Sequence, residues 1–313
     1  MLKISFVIPT LNRPQELKRL LDSFACQSLK PDEIVIVDQG GGLYNFTTLQ
    51  LYNSLNIKYH NVDFHSLTKA RNFGVKKASG DIAGFLDDDI ILDKDYVKNI
   101  LLFFDQHPHA RGVQGLITNF KVGHVEKVGG SKFVYKLYNL FAKVFLLNNS
   151  SSRNKLLMSG RNQYAYDVKD VQACQWLSGI GNYKREVFDE FSFDENLKSY
   201  ALGEDKLFSY SIFKKYSDSL FVDPQIKCEH HHADSGRPKD EEWVKMKVQY
   251  THYLWKKLFY PQGFVAYLCY CWANIGDLLI VLFSVLLGKN SIKFFLWHFK
   301  WYWLVLWRKN TTI

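Results

Sequence analysis

Three consecutive carboxylates, Asp87, Asp88 and Asp89, follow the apolar run Ile82–Leu86, and apolar character resumes at Ile90, Ile91 and Leu92. Adjacent acids repel one another, so a fold that gathers them needs a compensating positive charge. A hard divalent cation suits them: Mg²⁺ or Mn²⁺ takes carboxylate oxygens and keeps positions free for phosphate oxygens. A lone acidic triplet is more simply a solvated turn, so its surroundings decide. Two further clusters stand out, Glu204-Asp205 and His230-His231-His232. Alone, the acid pair reads as a helix N-terminus complementing the dipole. The histidines suggest zinc, but no Cys or His elsewhere has supporting spacing.

These residues need a scaffold to bring them together. Ile4–Ile8 reads as a buried strand stopped by Pro9, and Pro14 opens a helix carrying Leu17, Leu20, Leu21 and Phe24 at helical period. Glu33–Asp38 is a second strand ending in an acid, followed by the turn Gln39-Gly40-Gly41-Gly42. A helix over Leu43–Leu55, a short strand at Ile57–Tyr59 and a helix over Leu67–Ala78 follow, the last carrying Lys69, Arg71, Lys76 and Lys77. The strand ending at Asp87 comes next, then a strand within Arg111–Thr118 and an aromatic helix over Phe133–Leu147. The polar stretch Asn148–Asn154 reads as a mobile loop. Cys174–Gly181 is a strand or tight loop, Lys184–Phe191 a short helix, and Gly203-Glu204-Asp205 opens a helix through Phe213. Phe221–Val222 and Ile226–Cys228 are strands, with Glu229–Arg237 as a loop after them. Strands alternating with helices predict an α/β fold with a mostly parallel, Rossmann-like sheet and right-handed crossovers. In such sheets ligands bind at the carboxyl ends of strands, where the acids fall. Neither GxxxxGK[ST] nor GxGxxG is present, so the nucleotide-binding layout is not of the P-loop or dinucleotide type.

The remainder has a different character. Of the eight tryptophans, only Trp176 lies before residue 240; the other seven run from Trp243 to Trp307. Net charge is +9, and residues 241–313 hold nine Lys or Arg against three acids. A basic, Trp-rich, apolar tail points to an anionic membrane surface rather than nucleic acid. Leu258–Gly276 is uncharged, Asp277 interrupts, and Leu278–Gly288 is uncharged again; Ile292–Trp307 mixes lysine with aromatics. Asp277 is costly near a bilayer centre, so amphipathic, monotopic or re-entrant helices are preferred to a spanning hairpin. A buried helical subdomain or oligomer interface is the bland alternative. The five cysteines show no paired metal spacing and fit free thiols in a reducing cytosol.

The ordered set VIPTLNR (Val7–Arg13), Asp38, KARNFGV (Lys69–Val75), FLDDD (Phe85–Asp89), WLSG (Trp176–Gly179), GED (Gly203–Asp205) and a late His loop resembles the large inverting family two of nucleotide-sugar glycosyltransferases. The resemblance covers about residues 3–237 and implies a GT-A fold. It implies a catalytic domain over 1–240, with a nucleotide-binding half of about 1–118 and an acceptor-side half of about 119–240. Residues 241–313 look like the C-terminal helices that bind bacterial members to the membrane. By correspondence Pro9, Thr10 and Arg13 lie near the nucleotide and Asp38 accepts from base or ribose, a role suited to an acceptor-only carboxylate. Where the family has a second acid and a Ser after that Asp, this chain has Gln39 and Gly40, which leaves the base open, with UDP favoured. Arg71 and Asn72 match the motif over the diphosphate, where a guanidinium offers paired donors.

The same resemblance places Asp87 at the ribose or the cation's shell, Asp88 between, and Asp89 on the cation, Mn²⁺ or Mg²⁺. His230, then His232, match the family's late metal- or diphosphate-binding His; strand alternation puts those two on one face. Ser235 and Arg237 are candidates to close over the diphosphate. Trp176, Ser178 and Gly179 match a motif lining the sugar and acceptor, with a core role for Trp176 as the competing reading. Asp205 corresponds to the base that deprotonates the acceptor hydroxyl for in-line attack, and Glu204 contacts the acceptor or holds Asp205. The expectation is a metal-dependent inverting glycosyltransferase at the cytosolic face of the inner membrane, peripheral or monotopic. It would act on a glycan or lipid-linked acceptor in cell-envelope polysaccharide synthesis. A catalytically silent membrane-bound assembly subunit is the alternative. A nucleotidyltransferase is disfavoured by the missing glycine-rich, basic first loop.

Overall fold

The computed structural model describes residues 2–42, 51–119, 132–232 and 238–307. Ser235, Arg237 and most of the helix expected over Leu43–Leu55 lie outside the described residues; residues 51–54 form a turn. The chain forms two compact units, one of residues 1–121 and 166–236, the other of 122–165 and 237–313. Residues 122–165, assigned from sequence to the acceptor-side half, thus group with the C-terminal helices.

The first unit is built on β1 (Ile4–Thr10), β2 (Glu33–Asp38), β3 (Ile57–Asn61), β4 (Ile82–Phe85), β5 (Ile90–Leu92), β6 (Gly112–Ile117), β10 (Gln172–Ala173), β11 (Asn182–Lys184) and β12 (Leu220–His230). Strands β1 and β2 are buried at every position, the continuous apolar reading of a sheet covered on both faces. The order is β10-β12-β6-β11-β4-β1-β2-β3, with β5 paired to β12. β1 runs parallel to β2 and β4, β2 to β3 and β6 to β12, whereas β11 is antiparallel to β4 and β6. The mostly parallel α/β sheet is therefore as expected. Its helices are α1 (Pro14–Ala25), α2 (Leu67–Lys77), α3 (Tyr96–Gln106) and α5 (Glu204–Lys215). Leu17, Leu20, Leu21 and Phe24 of α1 enter one core with Phe6, Ile8, Ile34 and Ile36.

Two expectations in this unit are corrected. The late strands are one strand of eleven residues, whose register against β6 shifts between Val222 and Lys227 around Pro224. Helix α3, with Lys98 in its first turn and Asp105 in its last, was not anticipated from the pattern.

The second unit holds α4 (Lys132–Val144), β7 (Asn149–Ser150), β8 (Lys155–Leu156), β9 (Asn162–Tyr164), α6 (Asp240–Leu258), α7 (Phe264–Leu286) and α8 (Ile292–Trp307). The stretch expected as a loop, Asn148–Asn154, contributes β7 to a three-stranded sheet. Its asparagines act as backbone partners: Asn148 Oδ1 accepts from Asn162 N at 2.8 Å and Asn154 Oδ1 from Ala165 N at 2.8 Å. The apolar segment from Leu258 is also broken, at Pro261 and Gly263, so α7 begins only at Phe264.

Candidate functional site

Register determines where the acids converge. β1 pairs Thr10 with Asp38 of β2 and Val7 with Phe85 of β4, so Asp38 and Asp87 stand at or just past the carboxyl ends of the two strands that flank β1. Asp89 directly precedes β5, and β5 pairs Ile90 with His230 at the end of β12. That antiparallel pairing brings together residues separated by 141 positions in the chain. Asn119 fixes the strand end: its Oδ1 accepts from His230 N at 2.9 Å and its Nδ2 donates to His230 O at 3.2 Å. His231 N donates to Asp89 O at 2.9 Å. One ligand atom each of Asp89, His230 and His232 lies within 4.8 Å of the other two, and the two imidazoles are 3.9 Å apart between centroids. His230 Nε2 stands 2.9 Å from Asp89 Oδ1. His231 turns instead to Glu229, at 2.7 Å. A buried carboxylate with two imidazoles is a donor set that fits a divalent cation, and nitrogen ligands suit Mn²⁺ better than Mg²⁺.

Asp87 is not in this trio. Its Oδ1 accepts from Arg71 Nη2 at 3.0 Å, while Arg71 Nη1 donates to Glu204 Oε1 at 2.8 Å and Nη2 also reaches Gly179 O at 3.2 Å. Arg71 is 2% exposed and sits between the rings of Phe85 and Phe193. A Cβ on Gly179 would stand 3.1 Å from Arg71 Nη2, so the smallest residue keeps the guanidinium close to the backbone. Arg71, matched from sequence to a motif over the diphosphate, is the shared counterion of two acids from distant segments.

Glu204 and Asp205 begin α5 because Gly203, at φ 87°, supplies the left-handed turn before it. Glu204 is buried and its Oε2 finds no hydrogen-bond partner among the described residues. Burial pushes its carboxyl up to about 8, against the pull of Arg71 and with Asp205 and Asp87 adding to the rise. Burial likewise raises Asp205, whose Oδ1 accepts from Lys206 N at 2.8 Å. For Glu204 and Asp205 burial outweighs the pull of Arg71, so their protons are held above the ordinary acid range.

Other expected site residues have structural partners. Thr10 Oγ1 donates to Asp88 Oδ2 at 2.8 Å, and Arg13 Nη1 donates to Asp88 Oδ1 at 3.1 Å while standing 4.0 Å from Asp89. Asp88 is therefore a buried post bracing the end of β1 at Thr10 and the segment after it at Arg13 against the acid turn. Burial raises its carboxyl to about 6 despite Arg13 and Thr10. Burial opposes the charge on Arg13, but Asp88 and Asp89 outweigh it and its pKa is raised. Asp38 accepts from Gly40 N at 2.7 Å and from the Tyr59 hydroxyl. Asn72 Nδ2 donates to Phe193 O and Glu195 Oε1, each at 2.9 Å, so it ties α2 to the 193–195 segment. Trp176 is 3% exposed, a core position, while Ser178 is half-buried and its N–H donates to Gln114 Oε1 at 2.6 Å. Asn119 and Gln114 were not singled out from sequence, and Gln39 only as a departure from the family pattern. Gln39 Oε1 accepts from Ser66 N at 2.6 Å, and no spacing signal marks such long-range braces.

A strand-end acid cluster on a mostly parallel α/β sheet, facing a helix that opens with two further acids, is the layout of GT-A glycosyltransferases. The model of glycosyl transferase family 2 matches residues 5–162, half of the chain, and the chain belongs to that family. It is 32% identical over 196 residues to the O-antigen chain rhamnosyltransferase RfbN of Salmonella typhimurium, covering 61% of this chain and 55% of that one. It is 31% identical over 112 residues to the poly(ribitol-phosphate) β-N-acetylglucosaminyltransferase TarS of Staphylococcus aureus, covering 34% of this chain and 20% of TarS. The chain thus spans only part of the length of the curated relatives it matches. Among solved structures, GalNAc-T7 with UDP, GalNAc and Mn²⁺ superposes with a TM-score of 0.59 at 16% identity, over 88% of this chain and 55% of that one, a likeness of fold.

Proposed function

We propose that this chain transfers a glycosyl group from a nucleoside-diphosphate sugar to an acceptor hydroxyl with inversion, Asp205 acting as the base. The observation that carries the reading is Arg71, which holds the strand-end acid Asp87 and the helix-start acid Glu204 in one buried contact. Donor-side and acceptor-side carboxylates are thereby fixed in register, the positioning that in-line displacement requires. Asp205, at the first turn of α5, takes the acceptor proton; its raised pKa makes it a stronger base than an ordinary aspartate. Glu204, held by Arg71, keeps that turn in place. Attack by the deprotonated hydroxyl and departure of the nucleoside diphosphate form one displacement, which inverts the anomeric carbon.

Asp89, His230 and His232 would hold a divalent cation, with Mn²⁺ favoured. A cation bound there supplies Lewis-acid stabilisation to the leaving diphosphate. Thr10 and Arg13, braced on Asp88, shape the nucleotide end, and Asp38 is the acid beside them. UDP is the favoured carrier, in keeping with the nucleotide present in the GalNAc-T7 structure. Relatives named for O-antigen and poly(ribitol-phosphate) transfer support a glycan or lipid-linked acceptor in the cell envelope, met at the cytoplasmic side of the membrane.

The test is nucleoside diphosphate release from UDP-, GDP- and dTDP-sugars with Mn²⁺ or Mg²⁺ and membrane lipid extract. Turnover of one donor, lost in Asp89→Ala and Asp205→Asn, is expected. Folded protein that neither binds nor turns over any donor would overturn this reading in favour of a silent assembly subunit.

A further inference from the structure

The second unit carries an apolar surface that the proposed transfer reaction does not use. On α7, Phe264, Leu268, Trp272, Ile275, Leu279, Phe283 and Leu286 recur every three or four residues, the spacing of one helix face, and all are exposed. On α8, Ile292, Leu296, Phe299, Trp303 and Leu306 repeat the pattern, and on α4 so do Leu137, Leu140 and Val144. The helices touch within this unit: Trp272 stacks on Phe145 at 4.6 Å and donates through Nε1 to Val144 O at 2.8 Å. Leu278 of α7 packs beside Tyr302 and Val305 of α8. Contiguous exposed apolar area on this scale marks an interaction site.

The opposite side of α7 is polar and covered. Asp277 Oδ2 accepts from Arg161 Nη2 at 2.6 Å and from the Tyr302 hydroxyl at 2.8 Å, and Asn274 Oδ1 accepts from Arg161 Nη2 at 2.9 Å. One turn earlier, Tyr270 stacks on Trp255 of α6 at 4.3 Å and its hydroxyl lies 3.1 Å from His252 Nδ1. Helix α6 has seven Asp, Glu or Lys side chains and packs along α8 through Val244 and Val248. A membrane-crossing α7 would draw this charged helix and the Arg161 loop into hydrocarbon, where ionised groups are costly.

Charge names the occupant. Residues 132–165 and 238–307 hold fourteen Lys or Arg and four Asp or Glu, an excess of ten, whereas the whole chain has an excess of nine. Lys136, Lys143, Lys289, Lys293 and Lys300 on or beside the three helices are exposed. Such an excess repels a second copy of this chain and complements anionic headgroups. We propose that α4, α7 and α8 lie in the plane of one leaflet of an anionic bilayer. Their apolar stripes dip below the headgroups, and the Asp277–Arg161 side faces away from the lipid. This refines the membrane placement proposed above and stands apart from the transfer chemistry.

The test uses the full chain with vesicles of phosphatidylglycerol or phosphatidylcholine. Flotation with the anionic vesicles is expected, with binding lowered roughly tenfold or more by Phe283→Glu or Trp303→Glu and retained by Phe283→Leu. Donor-nucleotide binding in the same preparations shows that the variants fold, and its loss in wild type would speak against the transfer reading alone. A membrane-impermeant amine reagent outside sealed vesicles should modify Lys289 and Lys293 at the turn between α7 and α8. Protection of both lysines means a spanning hairpin and overturns the proposal. So does wild-type binding by the glutamate variants, absence of flotation, or a lipid-free dimer by light scattering that Phe283→Glu dissociates.

Discussion

The buried pair Arg161–Asp277 offers a perturbation whose size follows from the structure. Arg161 is 4% exposed and donates to Asp277 through Nε at 3.1 Å and Nη2 at 2.6 Å. Burial alone would raise the Asp277 carboxyl, but Arg161, then Lys247 and the Tyr302 hydroxyl, bring it down to about 2. Arg161→Met leaves that carboxylate buried without its cation, a loss of about 3–5 kcal/mol. At roughly 2–4 °C per kcal/mol, the thermal midpoint of this unit should fall by on the order of 10 °C. Tryptophan emission is the assay, because seven of the eight tryptophans lie in this unit. The double variant Arg161→Met/Asp277→Leu removes both charges and should recover most of the loss, since apolar replacement of a buried pair is often neutral. The pH dependence has a defined sign. A carboxyl depressed in the folded state contributes stability above its unfolded pKa of about 4, and that contribution, about 2 kcal/mol, is lost as pH falls from about 4 to about 2. An Arg161→Met midpoint within a degree or two of wild type, or a double variant no better than the single one, would refute the reasoning.

Four further outcomes follow from the first unit. Asp89→Ala and His230→Ala should each weaken Mn²⁺ binding, read by titration calorimetry, by at least the roughly 10–100-fold typical of a lost metal-site partner; unchanged binding in both would remove the trio as a cation site. Asp205→Asn should lower transfer roughly 10²–10⁴-fold with donor binding intact. In wild type kcat/KM should rise with pH along a limb placed above an ordinary aspartate's range, because burial raises Asp205 and the base works only when deprotonated; a flat acid profile down to pH about 4 would count against it. Gly203→Ala forces a Cβ into a left-handed residue at φ 87° and should cost about 1–2 kcal/mol. It should also slow transfer by shifting the start of α5; full stability and full rate together would show that the turn tolerates a side chain.

Periodicity and punctuation already define the sheet. Largely apolar runs at Ile4–Ile8, Ile34–Val37 and Ile82–Leu86 are readable as buried strands, and the acids at Asp38 and Asp87 stand at or just past the ends of two of them; the first, expected to stop at Pro9, continues through it to Thr10. Roles within the site were less legible. Thr10 and Asp88 are 78 residues apart, Arg71 and Glu204 133, Arg161 and Asp277 116. No local pattern encodes such partners. Thus the motif residues Thr10, Asn72 and Trp176, expected at the ligand, also brace or fill the scaffold, a role that no motif signals. Asp277, which argued from sequence only against a spanning helix, gains a buried cation that sequence could not supply. Asn148–Asn154, loop-like in composition, forms part of a sheet because its amides serve as partners for backbone groups.

By itself the sequence determined the family, the α/β sheet and the strand-end position of Asp87–Asp89, because burial and chain reversal leave local signatures in residue type and spacing. Tertiary structure alone decided which carboxylates share Arg71, that Asp87 stands apart from the trio of Asp89, His230 and His232, and which faces of α7 and α8 stay uncovered. Those are matters of long-range pairing, where the energy lies in contacts between segments that no local stretch of chain contains.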